Sequence, residues 1–281
     1  MCERADFFVD GGKYLFETRK FLLAKKLILI EKNKRRKDVF VRIETHVHTK
    51  YSKDSIQCFW LLYLKCKIKK IDVIAITEHN NVDGGLAFQK FCQKRRGKLQ
   101  VIVGEEIFTD SGEIIGLFLK QNVIPGLTVE NTITEIKRQG GLVYVPHPYD
   151  LKRNKTVLKE KYIAEFKDSI DCIEVHNGRN ISQDYDIEQK RISEKYGISA
   201  VIGSDAHTTL EVGRNYMECE CHQKILNSND FKKCIPNFEF HSCECLRSAH
   251  KITAIVKLLK LIEKGEFYEI YRVVIKRIKK A

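Results

Sequence analysis

The chain has 281 residues, 43% of them hydrophobic, enough to bury a sizeable core in one large domain or two small ones. No uncharged apolar run reaches the roughly 18 residues of a membrane-crossing helix; the nearest stretch, 21-FLLAKKLILI-30, is broken by Lys25 and Lys26, and no transmembrane segment is expected. The formal net charge of +13 biases the protein toward polyanions, because a positive field concentrates phosphates near its surface.

Charges lie on both sides of that apolar stretch and within it, so the N-terminus lacks an export-signal layout and a cytoplasmic protein is expected. The ten cysteines then read as free thiols or metal ligands rather than disulfides.

Residues 1–38 read as an added basic extension, helical from Lys13 to about Lys34. From residue 39 onward short β-branched runs alternate with helical patterns. The runs are 39-VFVRIE-44, 71-IDVIAI-76, 99-LQVIV-103, 142-LVYV-145, 170-IDCIEV-175 and 199-SAVIG-203. Helices are expected over 55–69, 83–97, 129–139, 156–168 and 184–196, with a hairpin-like element, 113-EIIGLFL-119, after the third strand. This is βαβ grammar and implies a mainly parallel sheet. Trp60, in the first helix, is read as core. The domain reading is an extension (1–38), a barrel (39–225) and a C-terminal strand and helix segment that packs on the barrel (226–281). Within the last, residues 246–279 have Ile252, Ile255, Leu258, Leu259 and Ile262 at helical spacing. Two basic runs, 31-EKNKRRKD-38 and 272-RVVIKRIKK-280, read as solvated helix faces.

Polar residues gather where the strands end. His46 and His48 close the first, Glu78 and His79 the second, and Glu105 and Glu106 the third. His147 follows 142-LVYVP, His176 and Asn177 follow 170-IDCIEV, and Asp205 and His207 follow 199-SAVIGS. One histidine at a strand end is ordinarily a satisfied core residue. Six strand ends in register are another matter, because in an α/β barrel they share the face that carries the active site. Two-residue spacing places His46 and His48 on one side of an extended strand, and Asp205 and His207 repeat that spacing. Imidazoles and carboxylates without thiolates suit Zn²⁺, Mn²⁺ or Fe²⁺. Seven or more such ligands exceed the three or four that one ion takes from a protein, so two or three divalent ions are expected. Such clusters bind a phosphate oxygen, acidify a bridging water and stabilise a leaving oxygen, which points to phosphate-ester hydrolysis.

The segments 44-ETHVHTKYSKDS-55, 76-ITEHNNVDG-84, 103-VGEEIFTDSGEIIGLFL-119, 140-GGLVYVPHPYD-150, 174-EVHNGRN-180 and 203-GSDAHT-208 resemble, in order, the motifs of the PHP (polymerase and histidinol phosphatase) family. The resemblance runs from about residue 39 to 220. It implies an α/β protein built on a distorted (β/α)7 barrel, here with an N-terminal extension and a C-terminal helical segment. It also implies a centre of two or three metal ions. Carried over by position, His46, His48 and Asp205 would hold one ion with a bridging Glu106, the glutamate two residues after the motif's glycine. Glu106 and His147 would hold a second, and His79, His207 and Asp54 a third. His46, His48, Asp205 and His207 would form the catalytic centre, with a metal-bridging hydroxide attacking phosphorus.

The pieces 146-PHPYDLKR-153 and 174-EVHNGRN-180 look most like the stand-alone metal-dependent phosphoesterases, which include 5′-nucleotide-releasing exonucleases. The expected substrate is therefore a nucleotide or a nucleic-acid end. The alternatives are a small-metabolite phosphatase of the histidinol phosphate type and a non-catalytic barrel that binds nucleic acid. Arg179 and Arg153, just past strand ends, are candidates to grip phosphate with their guanidinium forks.

Three positions depart from the family pattern. Glu44 and Glu78 stand where aspartate is usual, and Asn177 stands where some relatives have a histidine ligand, with His176 beside it. Either the second ion has fewer protein ligands or His176 takes over. Separately, Cys219, Cys221, Cys234, Cys243 and Cys245 have the residue types of a thiolate metal site, though their Cys-x-Cys spacing is not the usual one. They read otherwise as small hydrophobes.

Overall fold

The computed structural model describes residues 40–266 apart from residues 96, 154, 222 and 223. The expected helix from Lys13 to Lys34, both basic runs and the end of the 246–279 helix lie outside the described residues.

Nine strands among the described residues form one sheet: β1 (Phe40–Val47), β2 (Val73–His79), β3 (Gln100–Thr109), β4 (Gly112–Leu117), β5 (Leu142–Val145), β6 (Cys172–Asn177), β7 (Ala200–Gly203), β8 (Tyr216–Glu220) and β9 (Glu239–His241). Their order is β7-β6-β5-β4-β3-β2-β1-β8-β9. Neighbours from β1 to β3 and from β5 to β7 are parallel, while β4 is antiparallel to both β3 and β5. The hairpin-like segment is thus an integral strand. The sheet curls until the chain beyond β7 meets the end of β1. Ser204 N donates to Thr45 O (3.2 Å), Ala206 N to His46 O (3.1 Å) and His48 N to Ala206 O (2.9 Å). These bonds close the barrel at the end where the polar residues collect.

The helices among the described residues are α1 (Phe59–Lys69), α2 (Asp83–Gln93), α3 (Val129–Arg138), α4 (Glu160–Glu165), α5 (Gln183–Tyr196), α6 (Ser228–Cys234) and α7 (Arg247–Glu263). Local chemistry sets their ends. Thr128 caps α3 by accepting from Asn131 N, and Ser182 caps α5 by accepting from Asp184 N. Gly197, at φ 66°, supplies the left-handed residue that ends α5.

Strand alternation divides the apolar residues into an inside and an outside. Ile43, Val73, Ala75, Ile102, Ile115, Leu142, Tyr144 and Val201 fill the interior. On the outer face Ile74 and Ile76 meet Leu62 and Phe88 of α1 and α2, while Val143 and Ile173 meet Ile133 and Ile192 of α3 and α5.

Three expectations are corrected. Trp60 is 54% exposed, because α1 buries Leu62, Tyr63 and Cys66 instead; its ring meets the Arg95 guanidinium. The helix expected over 156–168 is only α4, since the chain before it folds back on β4: Glu113 N donates to Thr156 O (2.7 Å) and Thr156 N to Arg153 O (3.0 Å). The C-terminal helix is turned from its expected face. It buries Ala249, Val256 and Leu261 and leaves Ile255, Leu259 and Ile262 exposed. In this orientation Thr253 accepts from Arg179, and Lys260 donates to carbonyls of residues 50, 52 and 55.

Candidate metal centre

The first strand delivers its histidines through a bulge. Its register against β2 shifts between Glu44 and Val47, and His46 adopts φ 63°. Ile43 faces the barrel interior, Glu44 faces out, and Thr45 faces in again, its hydroxyl donating to Ile202 O (2.8 Å). The left-handed residue then resets the alternation. His46 therefore faces in beside Thr45, Val47 packs outside, and His48 returns inward. Simple two-residue spacing would have put Glu44 on the same face as both histidines. Instead its carboxylate accepts from Gly213 N (2.8 Å) on the far side.

Parallel register does the rest for β2 and β3. His79 stands opposite Glu106, and Nδ1 of His79 lies 2.8 Å from Glu106 Oε2. Glu105 points away and accepts from Val123 N (2.8 Å). Glu106 is the hub of the centre. Its Oε1 lies 3.0 Å from His147 Nε2 and 3.3 Å from His46 Nε2, and its Oε2 lies 3.5 Å from His48 Nε2. Asp205 Oδ1 is 3.6 Å from His46 Nε2 and 3.5 Å from His48 Nε2. Asp54 reaches over the opposite edge, 3.4 Å from His79 Nε2 and 3.3 Å from His207 Nε2. The rings of His79 and His207 lie over that of His48, with centroids 4.5 and 4.2 Å away.

These donors fit divalent ions. His46 Nε2, His48 Nε2 and Asp54 Oδ1 are buried with no hydrogen-bond partner, a costly arrangement that a bound cation would relieve. Two ligands about 2.1 Å from a tetrahedral ion stand about 3.4 Å apart, which matches the gaps between imidazoles and carboxylates. Among the described residues, four groups have their donor atoms within 4.8 Å of one another: His48–His79–His207, His46–His147–Asp205, His46–His48–Glu106 and His79–Glu106–Glu113.

Electrostatics point the same way. Burial disfavours charge on His46, yet Asp205, Glu174 and Glu106 outweigh it and raise its proton affinity well above the ordinary histidine range. A place that attractive to a proton attracts other cations. Burial, with His207 and His79 adding to it, pushes His48 down to about 3, so its imidazole is neutral and has a lone pair to give. Burial raises the Asp205 carboxyl, but Arg153 and His46 overcome it and keep Asp205 ionised. His46, His147 and Asp205 all have positive φ, at 63°, 30° and 49°. Such backbone strain in non-glycine residues gathers at functional sites.

Two carboxylates of the site escaped the sequence reading. Glu174 receives His46 Nδ1 (2.7 Å), His147 N (2.6 Å), Asn177 Nδ2 (2.8 Å) and the Tyr144 hydroxyl. Its signal was a charged residue inside the apolar run 170-IDCIEV-175, two positions from inward-facing Cys172. Glu113, at the start of β4, lies 3.6 Å from His147 Nε2. Burial, reinforced by Glu106, pushes its carboxyl up to about 8.

Glu78 is set apart from the donors. It accepts from Thr49 N (2.9 Å) and from the hydroxyls of Thr49 and Ser52, tying down the loop after β1. Its extra methylene finds room because residue 84 is glycine; a Cβ there would stand 2.2 Å from Glu78 Oε1. Neither residue of the fifth motif joins the donors. A bulge between Glu174 and His176 turns His176 outward to Asp186 (2.8 Å) and Asn215 (3.2 Å), while Asn177 faces in to Glu174.

The centre opens into a cleft of about 1110 Å³ whose walls include Asp54, His79, Glu113 and His207. Arg153 stands at its edge, donating to Asp205 Oδ2 and Asp150 Oδ2. Arg179 is buried and committed to α7: it donates to Thr253 Oγ1 (3.1 Å), contacts His250 and lies 3.7 Å from Glu211. Of the five cysteines of interest, Cys234 and Cys221 touch, with sulfurs 3.7 Å apart, whereas Cys243 is exposed and Cys245 lies 3.1 Å from His250. None of them falls among the four donor groups.

No helix among the described residues is long and apolar enough to cross a membrane.

Residues 44–204, more than half of the chain, match the PHP domain, and residues 188–232 match the PHP-associated family. An uncharacterized protein of Methanocaldococcus jannaschii is 35% identical over 181 residues, covering 63% of this chain and 70% of its own. A second uncharacterized protein of that organism is 45% identical over 121 residues, covering 39% and 68%. The fold is similar to a Bacteroides vulgatus two-domain protein described as containing a predicted PHP-like metal-dependent phosphoesterase. The TM-score is 0.57 at 17% identity, over 72% of this chain and 65% of that one. By the extent of the match and the order of its motifs, the chain belongs to the PHP domain family.

Proposed function

We propose that this protein is a metal-dependent phosphoesterase that hydrolyses phosphate esters of nucleotides or oligonucleotide ends, releasing mononucleotides from a 5′ terminus. The observation that carries the reading is the cleft above the donor cluster, whose walls include Lys53, Lys152, Lys155, Arg247, Lys251 and Lys257. One phosphate monoester needs few cationic partners. A wall with this many suits a substrate with several phosphates in a row.

On this reading His46, His48, Glu106 and Asp205 hold one ion. Glu106 and His147, with Glu113, hold a second, and Asp54, His79 and His207 a third. When bound, such ions polarise phosphoryl oxygens and acidify water. The chain's own groups do the positioning. Glu174 accepts the Nδ1 proton of His46 and leaves Nε2 as the donor atom. Asp205 O accepts the Nδ1 proton of His207 (2.8 Å), directing its Nε2 toward Asp54. Arg153, beside Asp205 at the cleft edge, offers a guanidinium fork to phosphate oxygens. Arg179 also lines the cleft, held there by Thr253 and Glu211.

The test is a substrate screen of purified protein with Mn²⁺, using 5′-phosphorylated oligonucleotides, nucleoside bisphosphates and histidinol phosphate. Stepwise mononucleotide release is the expected result. Orthophosphate from histidinol phosphate alone would overturn the reading, as would bound metal without turnover of any ester. Metal analysis of His46→Ala and His207→Ala checks the ligands; both should bind less.

A further inference from the structure

The loop between β1 and α1 carries Asp54, and it is held from two directions. Inside, Glu78 binds Thr49 and Ser52. Outside, Lys260 of α7 reaches it: its Nζ donates to Lys50 O (2.9 Å), Ser52 O (2.7 Å) and Ser55 O (2.6 Å). An ammonium has three protons, and here all three go to carbonyls of one short loop. Residues 50, 52 and 55 bracket Asp54, whose carboxylate stands between His79 Nε2 and His207 Nε2.

We propose that Lys260 is a positioning residue that fixes this loop so that Asp54 meets His79 and His207, and that the C-terminal helix thereby governs occupancy of that one ion position. The inference rests on the reading of Asp54, His79 and His207 as ligands. It makes an element far along the chain part of the centre without lending it a ligand.

Charge and positioning predict opposite outcomes, which makes the inference testable. Removing a nearby cation should by itself strengthen the attraction for a divalent ion. Loosening the loop should weaken it, by about tenfold or more if Lys260 acts as outer-shell partners of metal ligands do.

The full chain, stripped with chelator, would be titrated with Mn²⁺ while free ion is followed by electron paramagnetic resonance. Wild type would be compared with Lys260→Met, Lys260→Arg and Asp54→Asn. In Lys260→Met one ion should bind about tenfold or more weakly, the others should be unchanged, and amides 50–56 should exchange hydrogen faster. Lys260→Arg should fall between, because a planar fork cannot serve three converging carbonyls; it also keeps the test open if the Met variant folds poorly. Equal or tighter binding in Lys260→Met and Lys260→Arg, with a weakened ion in Asp54→Asn, would overturn the positioning role alone. Unchanged binding in Asp54→Asn would overturn the ligand assignment and this inference with it.

Discussion

Glu174 and His46 form a buried pair in which the carboxylate lies 2.7 Å from the imidazole Nδ1. Both are fully enclosed. The contact fixes the tautomer, turns Nε2 toward Glu106 and Asp205, and strengthens the imidazole as a donor. Glu174→Gln keeps the shape and removes the charge. It should lower metal affinity about 10- to 100-fold, read by ion titration of the stripped protein. Affinity equal to wild type would show that the pair does not tune the centre.

Gly203 leaves the space in which Glu174 sits. A Cβ at that position would be 1.8 Å from Glu174 Oε1 and 2.9 Å from the Tyr144 hydroxyl. Gly203→Ala must displace the carboxylate. Its expected cost is about 1–3 kcal/mol of stability, as for other overpacked cores, together with reduced metal content. Urea melts and metal analysis check both, and wild-type values in each would refute the steric argument.

Glu44 should tilt stability with pH. Burial pushes its carboxyl up to about 8 from an ordinary value of 4.5, with the Gly213 N–H offsetting only part of that. Between these values the folded protein keeps a proton that the unfolded chain has released. Stability therefore falls as pH rises from about 4.5 to about 8, by at most about 1.4 kcal/mol per pH unit, and levels off above. Glu44→Gln removes this contribution, so its stability relative to wild type should improve steadily across that window. Urea midpoints of both proteins at about pH 5.5 and 8 measure it; a constant difference would count against a shifted carboxyl.

Chelation should destabilise the fold. Ions that bind only the folded protein stabilise it by about 2.7 kcal/mol at a hundredfold excess over Kd. Excess EDTA should lower the melting temperature, and added Mn²⁺ should restore it. An unchanged melt after metal removal, verified by elemental analysis, would argue against ions seated in the buried donor set.

The strand rhythm and the strand-end polar residues were legible because both are local: alternation and spacing show in any short window. Relations that depend on pairing across the chain were not. The left-handed bulge at His46 separates Glu44 from His46 despite their even spacing, and no local pattern announces it. Glu174 acquires its role only when β6 lies beside β5 and across from β1, so in sequence it is one charge in an apolar run. The C-terminal helix showed an apolar stripe, but the face it buries is the one on which Thr253 accepts from Arg179 and Lys260 donates to Ser55, partners that lie far away in sequence. Trp60 was misplaced for a related reason: α1 has apolar residues all round, and only the packed barrel decides which of them it buries.

Thr45 and Ser204 share a hydrogen bond across 159 positions of chain, and on either side of that seam lie the first and last donors of the centre. During synthesis, no nascent chain that stops short of the last motif owns a complete cage. On the proposed ligand assignment, an ion met early by His46 and His48 alone would have two protein ligands and would leave readily. On the same assignment, discrimination among divalent ions would then fall to the closed barrel, whose finished fold sets the spacing between donors.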